Sequence, residues 1–269
     1  MTMNRVLVTG AAGRIGRTLR QGLAGRYRLL RLLDLAPLGE AASGEEVLRA
    51  DVTDLAAVEA ALDGIDCVVH LAGVPEEDAW EKILPANIVG TYNVFEAARR
   101  RGARRIVFAS TNHVVGFHRR ERRLDENVMP RPDTRYGASK AFGEALGRLY
   151  ADKHGISVAC MRIGSFQPKP QDERQLSTWI SPRDTVALVR CCIEAPDYHF
   201  LIVYGVSDNR DRRWFDQASR RIGYAPQDDA EAFAAEIRAR GEKTDPIAAH
   251  FHGGPYCPME FTGDVSKID

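Results

Sequence analysis

The stretch Arg5-Val6-Leu7-Val8-Thr9-Gly10-Ala11-Ala12-Gly13-Arg14-Ile15-Gly16 decides the fold of this 269-residue chain. Its first five residues form an apolar run that predicts a buried strand, and Arg14 opens a helical pattern. The glycines fall between the two elements. Because a buried strand, a glycine-rich turn and a helix in this order begin a parallel α/β unit, the stretch predicts a doubly wound parallel sheet.

Apolar runs and helical patterns continue to alternate up to about residue 165, which predicts a Rossmann-type α/β domain over residues 1–165. The strands predicted there are Arg5–Thr9, Leu29–Leu33, Val47–Ala50, Cys67–Leu71, Arg104–Ala109 and Ser157–Arg162. The predicted helices are Arg14–Ala24, one from the cap Asp54 to Leu62, Ile83–Arg100 and Arg135–His154.

The pattern is less regular over residues 166–269, and we expect this smaller C-terminal part to shape a substrate pocket rather than to fold independently. The elements predicted there are a loop over Phe166–Gln175, a strand over His199–Tyr204 and helices over Pro182–Glu194, Trp214–Arg221 and Ala230–Arg240.

The composition is that of an ordinary globular protein, with 44% hydrophobic and 28% charged residues. Lys and Arg number 37 and so do Asp and Glu, so the basic excess typical of nucleic-acid binders and polybasic membrane proteins is missing. The five cysteines form no CxxC pair, and the N-terminus carries no apolar leader, which predicts reduced thiols and a cytoplasmic location. No metal site is predicted, because His250, His252 and Cys257 lack a fourth ligand.

The glycine loop has the spacing of a dinucleotide site, in which glycines allow a tight turn and close approach of the backbone to a pyrophosphate. Asp34 ends the second predicted strand, 18 residues after Gly16. A carboxylate there accepts hydrogen bonds from ribose hydroxyls and repels a 2′-phosphate, which favours NAD over NADP. Arg14 in the loop is a weaker indication of NADP, because an arginine there could contact a phosphate. Asp51 follows the third strand, where it either contacts the adenine or caps a turn.

Tyr136 and Lys140 are four residues apart and therefore share one face of a predicted helix. An ammonium group held near a phenol lowers its pKa, so that the phenolate can take a proton from a substrate hydroxyl. Such a pair is common by chance on exposed helices. Its position after a dinucleotide loop makes it a candidate catalytic pair.

These motifs, together with Leu71-Ala72-Gly73, Asn87-Ile88-Val89-Gly90-Thr91 and Ser110-Thr111, resemble the extended short-chain dehydrogenase/reductase family over residues 4–165. The resemblance implies that Thr111 polarises the reacting hydroxyl and that Asn87 stabilises its helix. It implies an NAD site that comprises Gly10, Gly13, Arg14, Ile15, Gly16, Asp34, Leu35, Asp51, Val52, Leu71, Ala72, Gly73, Asn87, Tyr136, Lys140 and Ile163.

A narrower resemblance, to the uronate dehydrogenases, extends over nearly the whole chain. The stretches that carry it are Ser110–His113, Arg162–Ser165, Arg174 with Leu176–Trp179, Trp214 and Phe251–Gly254. It implies NAD-dependent oxidation of D-glucuronate or D-galacturonate at the anomeric carbon to an aldarolactone. The substrate residues that it implies are Thr111, Asn112, His113, Tyr136, Ser165 and Arg174.

Arg174 is expected to hold the substrate carboxylate through its planar guanidinium. One position departs from the family pattern: Pro75 stands two residues after Gly73, where the relatives carry a small hydroxyl residue. The preferred sugar is therefore left open.

Two other functions remain open from the sequence. One is a sugar or nucleotide-sugar epimerase or dehydratase of the same family, although only about 105 residues follow Ser165 to grip a nucleotide. The other is a non-catalytic NAD-sensing module, which would not need Tyr136 and Lys140. The family resemblance also implies a homo-oligomer that associates through Ile83–Arg100 and Arg135–His154.

Overall fold

The computed structural model describes residues 3–241 and 243–268. Met1 and Thr2, which begin the N-terminus that we expect to lack a leader, lie outside these ranges. The strands are β1 (Arg5–Thr9), β2 (Leu29–Asp34), β3 (Glu45–Arg49), β4 (Cys67–His70), β5 (Arg105–Thr111), β6 (Ser157–Ile163), β7 (Ser165–Phe166), β8 (Trp179–Ile180) and β9 (Phe200–Gly205). The α-helices are α1 (Arg14–Gly22), α2 (Leu55–Ala61), α3 (Trp80–Ile83), α4 (Gly90–Arg101), α5 (Arg135–His154), α6 (Gln175–Thr178), α7 (Pro182–Glu194), α8 (Ala218–Arg221), α9 (Ala234–Ala239) and α10 (Pro246–His250).

Seven of these strands form one parallel sheet in the order β3-β2-β1-β4-β5-β6-β9. The chain moves outward in one direction from β1 to β3 and in the other from β4 to β9. The strand order therefore reverses between β1 and β4, and ligands bind in the crevice at the carboxyl ends of strands at such a point. The predicted doubly wound parallel sheet is confirmed.

Helices cover both faces of the sheet because its central strands are apolar on both sides. Leu19 of α1 and Leu188 of α7 pack with Val8 on one face. Val58 of α2 and Phe95 of α4 belong to the cluster on the other face. The N-terminus of α2 is capped as predicted, with the Asp54 side chain accepting a hydrogen bond from the Ala57 amide.

The chain after residue 165 contributes to this same sheet. Strand β9 pairs with β6, and α7 packs against α1 on one face. The short strands β7 and β8 pair with each other beside the carboxyl end of β6, and Ser165 and Phe166 of β7 border the cavity described below. The C-terminal residues thus extend the main sheet and also border the crevice at the carboxyl ends of its strands.

The predicted helix over Trp214–Arg221 is wrong in its first half, since only Ala218–Arg221 is helical. Trp214 instead forms a β-bridge with Leu124, and its ring stacks on Tyr204 with 5.8 Å between centroids. Burial of this large aromatic surface outweighs the weak helical propensity of the segment.

The predicted helix Ile83–Arg100 exists but is interrupted by a π-helical turn over Leu84–Val89. The Gly90 amide donates to the Pro85 carbonyl oxygen, five residues earlier, which is the spacing of a π-helix, and Pro85 itself has no amide to donate to the preceding turn. Ala230–Arg240 is likewise split, into a 3₁₀ turn over Ala230–Phe233 and the helix α9. Within the described residues no helix combines the length and apolar character needed to cross a bilayer.

Candidate active site

A cavity of about 970 Å³ lies at the carboxyl ends of the strands and extends from the glycine loop to Arg174 and Tyr256. Its volume is at the upper end of the range for small-molecule and cofactor sites. The predicted site residues that border it are Gly10, Gly13, Arg14, Ile15, Gly16, Asp34, Leu35, Asp51, Val52, Leu71, Ala72, Gly73, Thr111, Asn112, His113, Tyr136, Lys140, Ile163, Ser165 and Arg174. Asn87 is the one predicted site residue that does not.

The glycine loop is packed too tightly for any side chain at two of its positions. Gly10 has a φ of +70°, and a Cβ there would lie 2.6 Å from the Ala72 amide nitrogen. A Cβ at Gly16 would lie 2.4 Å from the Gly10 carbonyl oxygen. Helix α1 begins without a side-chain cap, so its first amides remain available for an anion, as a bound pyrophosphate requires.

Asp34 lies at the end of β2 and holds the glycine loop in place. Its carboxylate accepts hydrogen bonds from the amides of Ala12 and Ala36, each at 2.9 Å. A carboxylate has about four acceptor sites, so it retains capacity for ribose hydroxyls. Asp51 accepts from the Thr53 amide at 2.8 Å while it borders the same end of the cavity, so it caps a turn and faces the ligand crevice at once.

Asn87 lies behind the cavity wall, in the π-helical turn. Its amide pairs with the backbone of Val74, accepting from the nitrogen at 2.7 Å and donating to the oxygen at 3.1 Å. It also donates to the Ser139 hydroxyl at 3.0 Å. Asn87 therefore joins the loop after Gly73 to helix α5, and the structure gives it a supporting position rather than a place in the cavity wall.

Tyr136 lies at the start of α5 and faces the cavity beside Thr111. Burial raises the pKa of the Tyr136 phenol above its usual value, and a hydrogen bond with the Thr111 hydroxyl opposes this rise. Thr111 itself ends β5 and accepts from the His113 amide at 3.3 Å. Two hydroxyl groups placed side by side in this way can both hydrogen-bond one oxygen atom of a ligand.

Lys140 lies one helical turn further along α5, with its Nζ 5.8 Å from the centre of the Tyr136 ring and 5.1 Å from that of Phe108. Burial lowers the pKa of Lys140 to about 8. Its ammonium makes no hydrogen bond within residues 3–241 and 243–268. A buried donor without a protein partner suits a ligand that brings acceptors, as the hydroxyls of a ribose do.

The far end of the cavity is arranged around Arg174. Its Nε donates to the His252 carbonyl oxygen at 2.9 Å, and its Nη2 donates to the Asn112 side-chain oxygen at 2.6 Å. The Asn112 amide nitrogen donates to the Ile163 carbonyl at 3.1 Å. Burial lowers the pKa of the Arg174 guanidinium, which still carries donors that these two bonds do not use.

Three further residues shape this end, and none of them is among the site residues predicted from the sequence. Asp133 binds His113, Tyr256 lies against the His113 ring, and Gly254 packs on the Arg174 side chain. Gly254 has a φ of +60°, and a Cβ there would lie 2.2 Å from the Arg174 Cδ. The Gly253-Gly254 pair is the one local signal, since adjacent glycines indicate a close backbone approach.

Ser165 borders the cavity but is already paired, with its hydroxyl 2.8 Å from that of Thr178. Pro75 also borders the cavity and has no amide hydrogen. The predicted substrate residues Asn112, His113, Ser165 and Arg174 all border this cavity.

Comparisons with known proteins agree with this geometry. The chain is 42% identical over 255 residues to a uronate dehydrogenase of Pseudomonas putida, covering 94% of this chain and 95% of that protein. It is 43% identical to an NAD-dependent glucose-6-phosphate dehydrogenase of Haloferax volcanii, covering 86% and 96% of the two chains. The structure matches that of a mutant uronate dehydrogenase from Agrobacterium tumefaciens complexed with NAD, with a TM-score of 0.91 and 43% identity, covering 95% and 97%.

The sequence also matches a family as a whole over most of the α/β sheet. The matched residues are 6–190, which span the sheet from β1 to the helix α7. They include the glycine loop, Asp34, Thr111, Tyr136, Lys140 and Arg174. The chain belongs to the NAD dependent epimerase/dehydratase family.

Proposed function

We propose that this protein oxidises D-glucuronate or D-galacturonate at the anomeric carbon to the aldarolactone, with NAD as hydride acceptor. The observation that carries this proposal is the fixed guanidinium of Arg174 at the end of the cavity opposite the glycine loop. A cation there suits a sugar acid whose carboxylate is remote from the reacting carbon. The uronate dehydrogenases and NAD complex described above support the same reaction.

The cavity wall fits NAD at its glycine-loop end. Gly10, Gly13 and the free amides of α1 would hold the pyrophosphate, Asp34 a ribose, and Lys140 the other ribose. When bound, NAD supplies the acceptor for the hydride that leaves the substrate carbon. The predicted NAD cofactor agrees with membership of an NAD dependent family.

The proton on the reacting hydroxyl goes to Tyr136. Thr111 shares a hydrogen bond with the phenol and orients the substrate oxygen between the two side chains. Because burial raises the pKa of Tyr136, the phenol needs positive charge nearby before it can act as a base. The Lys140 ammonium supplies such charge from the next turn of α5.

Arg174 fixes the direction of the sugar ring. Two of its nitrogens are held by His252 and Asn112, so the side chain is oriented before the substrate arrives. Orientation in advance lowers the entropy lost on binding and aims one ring carbon at the hydride acceptor. Asn112, His113 and Ser165 then contact ring hydroxyls.

The test is NADH formation by the purified protein with D-glucuronate, D-galacturonate, glucose 6-phosphate and neutral glucose or galactose. Turnover with the uronates and much slower turnover with the neutral sugars would support the proposal. Absence of turnover with both uronates would overturn it.

The relative from Haloferax volcanii favours one alternative, a dehydrogenase for a phosphorylated sugar, because Arg174 would also bind a phosphate. In the same assay this function would give faster turnover with glucose 6-phosphate than with either uronate. An epimerase would form no net NADH and would be purified with NAD already bound.

We also propose that the protein is cytoplasmic and forms a homo-oligomer with itself as the only macromolecular partner. All five cysteines are free thiols, which is usual in reducing compartments. Exposed apolar side chains lie on and between α3, α4 and α5; they are Trp80, Leu84, Val89, Tyr92 and Leu149. Association would remove this surface from water.

A further inference from the structure

His113 and Asp133 form a buried pair at the sugar end of the cavity. The His113 Nδ1 lies 2.7 Å from the Asp133 Oδ2, and the side chains are 9% and 0% exposed. His113 borders the cavity and Asp133 does not. The carboxylate is therefore a support behind a residue that faces the ligand.

The Asp133 carboxylate has no room to move. Its Oδ1 accepts from the Thr134 hydroxyl at 3.0 Å. Its Oδ2 lies between Gly116 and Gly253, where an added Cβ would come within 2.0 Å and 1.8 Å of the oxygen. Two glycines from distant parts of the chain thus form a slot around one carboxylate oxygen, which fixes the direction in which that oxygen meets His113.

The imidazole is packed against aromatic rings, and its Nε2 has no protein partner in the described part of the chain. The Tyr256 ring lies against it with 4.1 Å between centroids, and the Tyr136 ring centre is 6.2 Å away. Because Nδ1 faces Asp133, Nε2 is the ring nitrogen left for a ligand in the cavity.

We propose, resting on the function proposed above, that Asp133 is a positioning residue that sets which sugars the enzyme accepts. An ionised carboxylate only accepts hydrogen bonds, so it holds the imidazole proton on Nδ1. The bare Nε2 is then an acceptor and requires a hydroxyl group on the sugar carbon that faces it. A sugar without that hydroxyl leaves a buried acceptor unpaired and binds its transition state poorly.

The tautomer is measured directly by ¹⁵N NMR of histidine-labelled protein at neutral pH, with the His113 signals identified by their loss in His113→Gln. We expect a neutral ring with the proton on Nδ1. In Asp133→Asn the oxygen stays with the Thr134 hydroxyl and the amide NH₂ turns to His113, which moves the ring proton to Nε2. A wild-type ring that carries its proton on Nε2, or on both nitrogens, overturns the proposal.

The kinetic test compares Asp133→Asn with Asp125→Asn, an exposed aspartate of the same connection between β5 and α5. We expect Asp133→Asn to lower kcat/KM for the uronate about 10- to 100-fold while KM for NAD stays unchanged. Asp125→Asn should leave both unchanged. If Asp133→Asn weakened the use of the uronate and of NAD by the same factor, the role of Asp133 would be merely structural and the proposal would be overturned.

Deoxy uronates identify the hydroxyl group. With the wild-type enzyme, kcat/KM relative to the parent uronate should be much lower for one of the 2-, 3- and 4-deoxy uronates than for the other two. In His113→Gln this difference between the three compounds should disappear. A difference that persists in His113→Gln contradicts the assignment. Wild type that oxidises no uronate would refute the proposed function alone, because the NMR result still reports the tautomer.

Discussion

Tyr136 and Lys140 both lose hydration at the site, and burial moves their pKa values in opposite directions. Burial raises the pKa of Tyr136 and lowers that of Lys140 to about 8. In each case the neutral form is favoured, because a charge is costly away from water. The sequence spacing predicts that Lys140 lowers the pKa of Tyr136, but in the protein alone the loss of hydration dominates.

Replacement of Tyr136 by Phe removes the hydroxyl group that we propose accepts the substrate proton. We expect kcat to fall by about 10²- to 10⁴-fold, with NAD affinity nearly unchanged because the glycine loop is untouched. NADH formation and NAD binding by calorimetry measure the two effects. Tyr92→Phe, at an exposed position of α4, is the matched control, and a fully active Tyr136→Phe variant would refute this mechanism.

Lys140 should make the stability of the NAD-free protein depend on pH. Its pKa is 10.5 in the unfolded chain and about 8 in the native protein, so between these values the unfolded state binds more protons and the unfolding free energy rises with pH. Below about pH 8 both states are charged, and burial of the ammonium costs roughly 3 kcal/mol. Lys140→Met therefore stabilises the protein near pH 7, with a gain that fades towards pH 10.5.

Urea unfolding at pH 7 and pH 10 without NAD measures this effect, and activity should be lost in the same variant. Lys153→Met, at an exposed position of the same helix, should change the unfolding free energy little at either pH. A Lys140→Met variant that is no more stable than wild type at pH 7 would contradict the expectation.

Arg174→Ala should raise KM for uronates about 10- to 100-fold, because a charge-assisted hydrogen bond contributes about 1.5–3 kcal/mol. Turnover of neutral aldoses should change little, since they have no carboxylate to bind. In Arg174→Lys, KM for uronates should lie between the values for wild type and Arg174→Ala, because an ammonium keeps the charge but loses the planar pair of donors. Arg190→Ala, at an exposed position of α7, serves as the control in steady-state assays.

At the scale of elements, helix α5 positions the catalytic pair because it is anchored one turn further on. Glu144 lies on the same face as Lys140 and pairs with Arg162 of β6 at 2.9 Å. It also accepts from the Ser110 hydroxyl of β5 at 2.6 Å. These groups are buried, and together they hold α5 against the two strands whose ends border the cavity.

The turn between β1 and α1 is the second element whose geometry decides the site. A methyl group at Gly16 would lie 2.4 Å from the Gly10 carbonyl oxygen and 2.6 Å from the Ala11 Cα. Both are backbone atoms, so the loop itself must shift. Gly16→Ala should therefore weaken NAD binding at least about tenfold and lower the melting temperature.

Gly25→Ala is the matched control for this change. Gly25 has a φ of +68° with no atom within 4 Å of an added Cβ, so the substitution strains the backbone but leaves the cavity intact. It should lower the melting temperature without changing NAD affinity. Equal NAD affinity in wild type and Gly16→Ala would show that the tight turn is not required for binding.

At the scale of the whole molecule, the cavity combines residues from nearly the full length of the chain, from Gly10 to Tyr256. The parallel sheet makes this possible because all its strands end at the same edge. Residues after position 165 complete the sugar end. Arg174 lies at the N-cap of α6 and contacts Asn112, and Tyr256 lies in a 3₁₀ turn and contacts His113. Substrate choice and cofactor binding therefore depend on one common framework.

The proposed oligomer is tested by Tyr92→Glu combined with Leu149→Glu. Both side chains are exposed and apolar, one on α4 and one on α5, so charges there should prevent an interface through these helices. Sedimentation velocity should show a smaller species than for wild type, with an unchanged circular dichroism spectrum. Met129→Glu, at an exposed loop position, should leave the sedimentation unchanged, and a wild-type monomer would refute the proposal.

Local patterns were sufficient to predict most of the fold. The helices Arg135–His154 and Pro182–Glu194 have the predicted bounds, and the six predicted strands of the first 165 residues all exist within one or two residues. Each depends on a short run of apolar residues with a clear period, and the order of the elements then dictates a parallel sheet. The glycine loop was predictable for the same reason, because its chemistry lies within eight consecutive residues.

The sugar end of the site was decided by tertiary structure. Asp133 and Tyr256 carry no periodic or motif signal, and Gly254 is marked only by the adjacent Gly253. Their roles arise only where the C-terminal segment meets His113 and Arg174. Trp214 likewise is not part of the helix predicted for it, because its ring packs on Tyr204 and its backbone pairs with Leu124, both outside that segment. The amino-acid sequence by itself determined the sheet, the turn that holds the cofactor and the Tyr136–Lys140 spacing, since these depend on neighbouring residues. Which side chains surround the sugar was decided only by packing between segments distant in the chain, where burial and hydrogen bonding outweigh local propensity.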